Sequence, residues 1–271
     1  MATSASNNGP CLEVCFSPAL IHLHDISESI VVVIDILRAT SSMCVALHHG
    51  VRSIVPVSGI DESRAYKAQG FLIGAERNGE MLEGFDLGNS PFSYMEAQVQ
   101  GRDVALSTTN GTQAITAAKG AYQLVAGSFL NLDSLCDWLA SQNRSVLLLC
   151  SGWKNSFNLE DTLFAGAVAE KLEPHFGLNK MRDAVIAAKH LYSLAKNDMF
   201  GFLAQSSHRN RLEKLNIEKD IEYCLTLNQA PVIPDISIGT RKEPRAGRAV
   251  RSANRIFHRL ACRKMTRKKP E

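Results

Sequence analysis

The stretch Val31-Val32-Val33-Ile34-Asp35-Ile36-Leu37 constrains this chain more than any other. Five of its first six residues are apolar and β-branched, the pattern of a strand buried on both faces. Asp35 interrupts the run, and Leu37, Arg38 and the Thr40-Ser41-Ser42 cluster follow at once, a composition suited to a helix start. A carboxylate at the end of a buried strand is costly unless a metal, a cation or a hydrogen-bond donor satisfies it. In open α/β sheets that end of the strands is also where ligands bind. Asp35 and Arg38 are therefore the first functional candidates. An Asp35–Arg38 ion pair that only closes a βα turn explains the same residues, and on this stretch the two readings stand level.

The rest of the chain repeats the strand-then-helix alternation. Strands are expected at Leu12–Phe16, Ser53–Val57, Phe71–Ile73, Asp103–Ser107, Tyr122–Ala126 and Ser145–Cys150. Helices are expected from Ser42 to His49, from Asp61 to Gln69, from Thr112 to about Lys119, through Leu135 and Leu139, and from Glu160 to Leu172. Beyond Pro174 the pattern is mainly helical (182–196, 198–205, 209–215 and 218–224), with Pro231–Pro234 as a last edge strand. This order implies an α/β fold: mostly parallel or mixed sheets covered by helices, in α/β/α layers, with room for two lobes and a cleft between them. The expected organisation is a disordered leader (1–10), a folded body (11–234) and a poorly ordered basic tail (235–271).

Charge divides the chain as sharply as periodicity does. Of 30 basic and 27 acidic residues, twelve Lys or Arg but only Glu243 and Glu271 fall after position 240. The tail carries +10 and the body −7. A basic tail with Val250, Ala253, Ile256, Phe257 and Leu260 between arginines suggests nucleic acid or an acidic membrane surface, although a solvated extension explains it better. No apolar run reaches the roughly 18 residues of a membrane span. Residues 1–10 lack the basic and apolar segments of a secretory signal. A cytoplasmic location is expected. The seven cysteines are scattered without a CxxC pair, which argues against a disulfide framework or a zinc site.

A second candidate is Thr108-Thr109-Asn110-Gly111-Thr112, between a strand and a helix. Three hydroxyls, an amide and a glycine at a helix amino terminus make an anion site, above all for phosphate. A plain N-cap would need only one of them. The GxxxxGK[ST] pattern is absent, so this is not a P-loop. Ser128 and Asn131 close the neighbouring strand in the same manner, though each alone reads as a helix cap. Glu160-Asp161 opens a helix, where the macrodipole favours acids in any case. With Asp35 these two carboxylates form an oxygen set able to hold magnesium. Arg77, in Glu76-Arg77, suits bidentate oxyanion binding, and Asn89 and Ser90 lie in the polar loop that follows. Cys150 ends a strand at the same sheet edge. It has no histidine nearby in sequence to activate it, so an inert buried thiol is the better reading.

These segments occur in one order: Asp35-Ile36-Leu37-Arg38-Ala39-Thr40, Gly74-Ala75-Glu76-Arg77, Gly84 to Pro91, Thr108 to Thr112, and Glu160-Asp161 after Cys150-Ser151-Gly152. Together they resemble the 2-phosphosulfolactate phosphatase family from about Leu12 to Pro234. The resemblance implies a magnesium-dependent phosphatase that releases sulfolactate in the route to coenzyme M. It places Asp35, Glu160 and Asp161 around the metal, with Asp35, Arg38 and Asp161 in catalytic positions. Arg77, Asn89, Ser90, Thr108, Thr109, Asn110, Gly111, Thr112 and Ser128 then face the substrate. The expected partner is a small phosphorylated, sulfonated acid, and the expected assembly includes a homodimer. Two rivals remain at this point: a phosphotransferase or phosphatase acting on another small phosphoester, and a nucleic-acid-binding module working through the tail. The segment after Pro234 has no counterpart in the family pattern.

Overall fold

The structure is a computed structural model that describes residues 9–77, 80–177, 181–213, 217–236 and 263–264. The side chains of Arg77, of 211–213 and of 263–264 lie outside that description. Of residues 235–271, Asp235–Ile236 and Arg263–Lys264 are described and the rest lie outside the description.

The apolar run folds as expected. Strand β2 (Ile30–Ile34) is buried along its whole length. Its parallel neighbours are β7 (Gln123–Gly127) and β8 (Val146–Cys150), and β1 (Leu12–Cys15) runs parallel on the outer side of β8. Two short antiparallel strands, β9 (Pro234–Asp235) and β10 (Arg263–Lys264), complete the order β1-β8-β2-β7-β9-β10. The expected last edge strand at 231–234 is thus displaced to Pro234–Asp235, and β10 covers it. Two prolines in Pro231–Pro234 withhold the N–H groups that a ladder needs.

A second sheet holds β3 (Ser53–Val57), β6 (Asp103–Ser107), β4 (Leu72–Arg77) and β5 (Glu80–Met81) in the order β3-β6-β4-β5. Strand β4 is twice as long as its sequence suggests. Gly74-Ala75-Glu76-Arg77 lacks a strand's apolar pattern, but β6 on one side and β5 beyond Arg77 satisfy its backbone.

Period-two alternation sends β2 into two cores. Ile30, Val32 and Ile34 pack with Leu135, Phe164 and Val168 of helices α4 (Leu132–Ser141) and α5 (Leu159–Phe176). Val31 and Val33 pack with Met43, Cys44 and Leu47 of α1 (Ala39–His48), and the same cluster takes Ile54, Val104 and Leu106 from the second sheet. Helix α1 therefore lies between the two sheets, and nine of its ten residues are buried. Helix α2 (Ile60–Lys67) adds Tyr66 to the core on the other face of the second sheet. Helix α3 (Asn110–Ala117) follows β6. Helix α6 (Asp183–Ala195) packs on α5 closely enough that a Cβ on Gly166 would come within 2.1 Å of the Ala188 carbonyl oxygen. The stretch 198–205 divides into a one-turn helix α7 (Met199–Phe202) and a 3₁₀ turn. Helices α8 (Ser207–Glu213) and α9 (Glu218–Cys224) then return the chain to the strand ends. No described helix is long and apolar enough to cross a membrane.

Candidate active site

Strand β2 ends at Ile34, and Asp35 stands in the turn before α1. Its Oδ1 accepts the Ala39 N–H at 3.3 Å, and its own N–H donates to Thr40 Oγ1 at 3.0 Å. The Thr40 hydroxyl returns a bond to the Asp35 carbonyl, so the turn is closed by local polar contacts. Burial pushes the Asp35 carboxyl up to about 6; Ala39 and His208 oppose the rise, and Glu76 and Glu160 add to it. Several carboxylates therefore share one poorly solvated region.

Asp161 holds that region together. Its Oδ1 accepts the Ile36 N–H at 2.9 Å and its Oδ2 accepts the Gly152 N–H at 3.1 Å. Burial, Glu160 and Asp35 drive its carboxyl well above the usual range, while the two N–H donors pull the other way. Both oxygens of this expected metal ligand thus serve as clamps between strand ends. Glu160 is fully buried. Its Oε1 meets His208 Nδ1 and accepts the Asn158 amide at 2.9 Å. Its Oε2 is buried with no hydrogen-bond partner among the described residues, as are Asn89 Oδ1, Ser107 Oγ, Ser151 Oγ and Asn158 Oδ1. A buried unpaired acceptor costs about 1–3 kcal/mol and calls for a functional reason.

The second sheet contributes the Thr108–Thr112 loop. Thr108 follows β6, and its Oγ1 accepts the Thr112 N–H at 3.2 Å in the first turn of α3. That helix start packs on Asp35: a Cβ on Gly111 would lie 3.0 Å from Asp35 Oδ2, 3.0 Å from Thr108 Oγ1 and 2.9 Å from Ala39 Cβ. Only a glycine lets the α3 backbone approach the carboxylate this closely. Thr108, Thr109, Thr112, Gln113, Glu76, Trp153 and Lys154 line a cleft of about 610 Å³.

Other candidates are held by contacts of their own around this centre. The Arg38 guanidinium pairs with buried Asp220 of α9, whose other oxygen accepts the Ser90 hydroxyl at 3.0 Å. The Asn89 carbonyl accepts from Ser42 at 2.7 Å. Asn110 Oδ1 accepts the Lys154 N–H at 3.1 Å. Ser128 is buried, caps the turn before α4 and shares a 2.9 Å bond with Ser41, whose hydroxyl donates to the Ile36 carbonyl. The Arg77 side chain lies outside the described residues. Cys150 is buried and its thiol is pushed well above its ordinary value, so it stays protonated. Cys11, Cys15, Cys44, Cys136, Cys150 and Cys224 are all free thiols.

Three residues of the site escape a reading of the sequence. His208 bonds Glu160 and packs its ring on Trp153, with centroids 5.1 Å apart. Asp220 pins Arg38, and Lys154 faces the cleft. Nothing in their local spacing marks them, since each acts on a residue tens of positions away. Among the described residues, no three His, Cys, Asp or Glu side chains converge as a ready metal cage. Magnesium asks for less, because it is commonly held by one or two carboxylates with the substrate's phosphate and water completing its shell. Asp35, beside Gly111, and Glu160, with its unpartnered buried Oε2, meet that requirement.

The layout defines a class: an α/β protein in which clustered carboxylates at strand ends lie against a helix amino terminus beside a cleft, as suits an anion-handling hydrolase. The family model for 2-phosphosulpholactate phosphatase matches residues 15–238. The chain is 39% identical over 208 residues to a probable 2-phosphosulfolactate phosphatase of Thermotoga petrophila, covering 77% of this chain and 89% of that one. A protein of the same description from Carboxydothermus hydrogenoformans is 36% identical over 249 residues, covering 91% and 99%. One from Caldanaerobacter subterraneus is 34% identical over 219 residues, covering 79% and 90%. The chain belongs to the 2-phosphosulpholactate phosphatase family of phosphoric monoester hydrolases.

Proposed function

We propose that this protein is a magnesium-dependent phosphatase that hydrolyses 2-phospho-3-sulfolactate to 3-sulfolactate and phosphate, as in coenzyme M biosynthesis. The observation that carries the reading is the close approach of Asp35 to the Gly111 backbone, which sets a carboxylate against the helix start whose Thr108, Thr109 and Thr112 line the cleft. The names of the relatives supply the substrate.

The residues divide the work as follows. The first-turn N–H groups at Thr109, Asn110 and Gly111 bind and orient the phosphoryl oxygens, helped by the Thr108 and Thr112 hydroxyls. Asp161 fixes the Asp35 turn against β8 and α5. His208 and Asn158 hold Glu160 in place. Magnesium bound at Asp35 and Glu160 would offset the phosphate charge and stabilise the leaving oxygen. Asp35 acts as a ligand in this reading rather than as a nucleophile, because Glu160 alone would leave a divalent ion poorly neutralised.

The test is phosphate release from 2-phosphosulfolactate, 2-phospholactate and phosphoglycolate, with magnesium and with chelator, by the wild type and Asp35→Asn. Metal-dependent turnover that favours the sulfonated substrate is expected, with Asp35→Asn partly rescued by excess magnesium. Equal metal-independent activity on all three substrates, or none, overturns the reading. Normal magnesium affinity with turnover lost by about 10⁴-fold or more would make Asp35 the nucleophile instead.

A further inference from the structure

A phosphorylated sulfonated acid carries more than one anionic group, and the helix start beside Asp35 accounts for only the phosphate. The cleft must place the others. Glu76 lines the same cleft, and both it and Glu160 are near enough to act on the charge of Asp35, so a sulfonate on that side would meet repulsion. Among the described side chains that line the cleft, Lys154 is the one cation.

Its position is built with care. Trp153 and Ser156 exchange two main-chain hydrogen bonds of 2.9 Å, which makes Trp153-Lys154-Asn155-Ser156 a two-residue hairpin. Lys154 and Asn155 both take positive φ, +49° and +64°. Hairpin turns of this hand favour Asn and Gly, and a lysine in the left-handed region is uncommon. The hairpin is then moored to the phosphate-binding helix one turn apart. Asn110 Oδ1 takes the Lys154 N–H at 3.1 Å, and Gln113 donates to Asn155 Oδ1 at 2.8 Å. From the other side, Ser17 donates to the Asn155 carbonyl at 2.7 Å. The Lys154 ammonium lies 5.8 Å from the centre of the Trp153 ring, which also lines the cleft.

We propose that Lys154 binds the sulfonate of the substrate, and that Asn110 sets its separation from the phosphate site. This rests on the phosphatase reading for the identity of the substrate. A lysine suits the task because a sulfonate stays a monoanion across the working pH range and needs a point charge rather than a planar fork. Fixing the lysine's backbone to the phosphate helix turns two anion sites into a ruler, so that acids lacking the second anion are bound less well.

Direct binding tests this without relying on turnover. Calorimetric titration of 3-sulfolactate and of lactate into wild type, Lys154→Met and Lys154→Arg should show the wild type preferring 3-sulfolactate. Lys154→Met should lose about 10- to 100-fold of affinity for 3-sulfolactate, and Lys154→Arg should recover most of it. In kinetics, Lys154→Met should raise KM for 2-phosphosulfolactate by a similar factor with a much smaller change in kcat. For 2-phospholactate, kcat/KM should fall no more than about threefold. Lys154 is exposed, so the unfolding midpoint of both variants should match the wild type. Equal losses for both ligands, no loss for either, or no binding of 3-sulfolactate by the wild type overturns the proposal. A wild type that binds 3-sulfolactate through Lys154 but hydrolyses no phosphoester would instead remove the phosphatase reading and leave this one standing.

Discussion

The Oδ1 of Asp161 accepts the main-chain N–H of Ile36 at 2.9 Å, joining two positions 125 residues apart in the chain. Its other oxygen takes the Gly152 N–H, so one carboxylate fixes the end of β2, the end of β8 and the start of α5 relative to one another. Asp161→Asn keeps the shape but presents an NH₂ where one of the two N–H donors needs an acceptor. Urea unfolding should show a loss of about 1–3 kcal/mol, the cost of a buried donor left unpaired. Phosphate release should fall with it, because the Asp35 turn loses its anchor. Wild-type stability in this variant would mean that the clamp is dispensable.

Gly111→Ala separates geometry from charge. The added methyl would meet Asp35 Oδ2, Thr108 Oγ1 and Ala39 Cβ at 2.9–3.0 Å, closer than van der Waals contact allows. Either the carboxylate or the head of α3 must move. We expect kcat/KM to fall by about 10- to 100-fold, as small misplacements at a reacting centre do, with a stability change of at most about 2 kcal/mol. Steady-state kinetics with denaturation curves on the same preparation measures both.

The Arg38–Asp220 pair is buried on both sides. Removing one partner strands the other's charge. Asp220→Leu should therefore cost about 3–5 kcal/mol, whereas the double variant Arg38→Met with Asp220→Leu should recover a substantial part of it. A double-mutant cycle by chemical denaturation gives the coupling directly. Additive losses would show that the pair does not act as a unit.

Far from the cleft, the Cys15 side chain and then the Glu13 carboxylate hold the His24 imidazole up to about 9, against 6.5 for an ordinary histidine. His24 Nδ1 lies 2.6 Å from Glu13 Oε2. A pKa raised on folding contributes stability that is complete below the unfolded value and lost as pH climbs through the folded one. Wild-type stability should thus decline between about pH 6.5 and 9, by about 1–3 kcal/mol. His24→Gln should lack that decline. Thermal melts at pH 6, 8 and 10 compare the two.

The sequence by itself determined the elements that local chemistry dictates. A run of β-branched residues such as Val31–Ile34 has one low-energy use, a strand with both faces covered. Asp35 at the strand's end and Thr108 to Thr112 at a helix head were legible because a buried carboxylate and a run of small donors are each costly without a purpose. Strand β4 was less legible, because Gly74 to Arg77 owes its extended form to its neighbours rather than to its own pattern. Tertiary structure alone decided which distant groups meet. Asp220 on Arg38, His208 on Glu160, Gly111 against Asp35 and Asn110 on Lys154 are contacts across 44 to 182 positions or between the two sheets. Periodicity reports which face of an element is buried. It carries no information about which polar group on another element completes a hydrogen bond there, because that is set only when the sheets and α1 pack together.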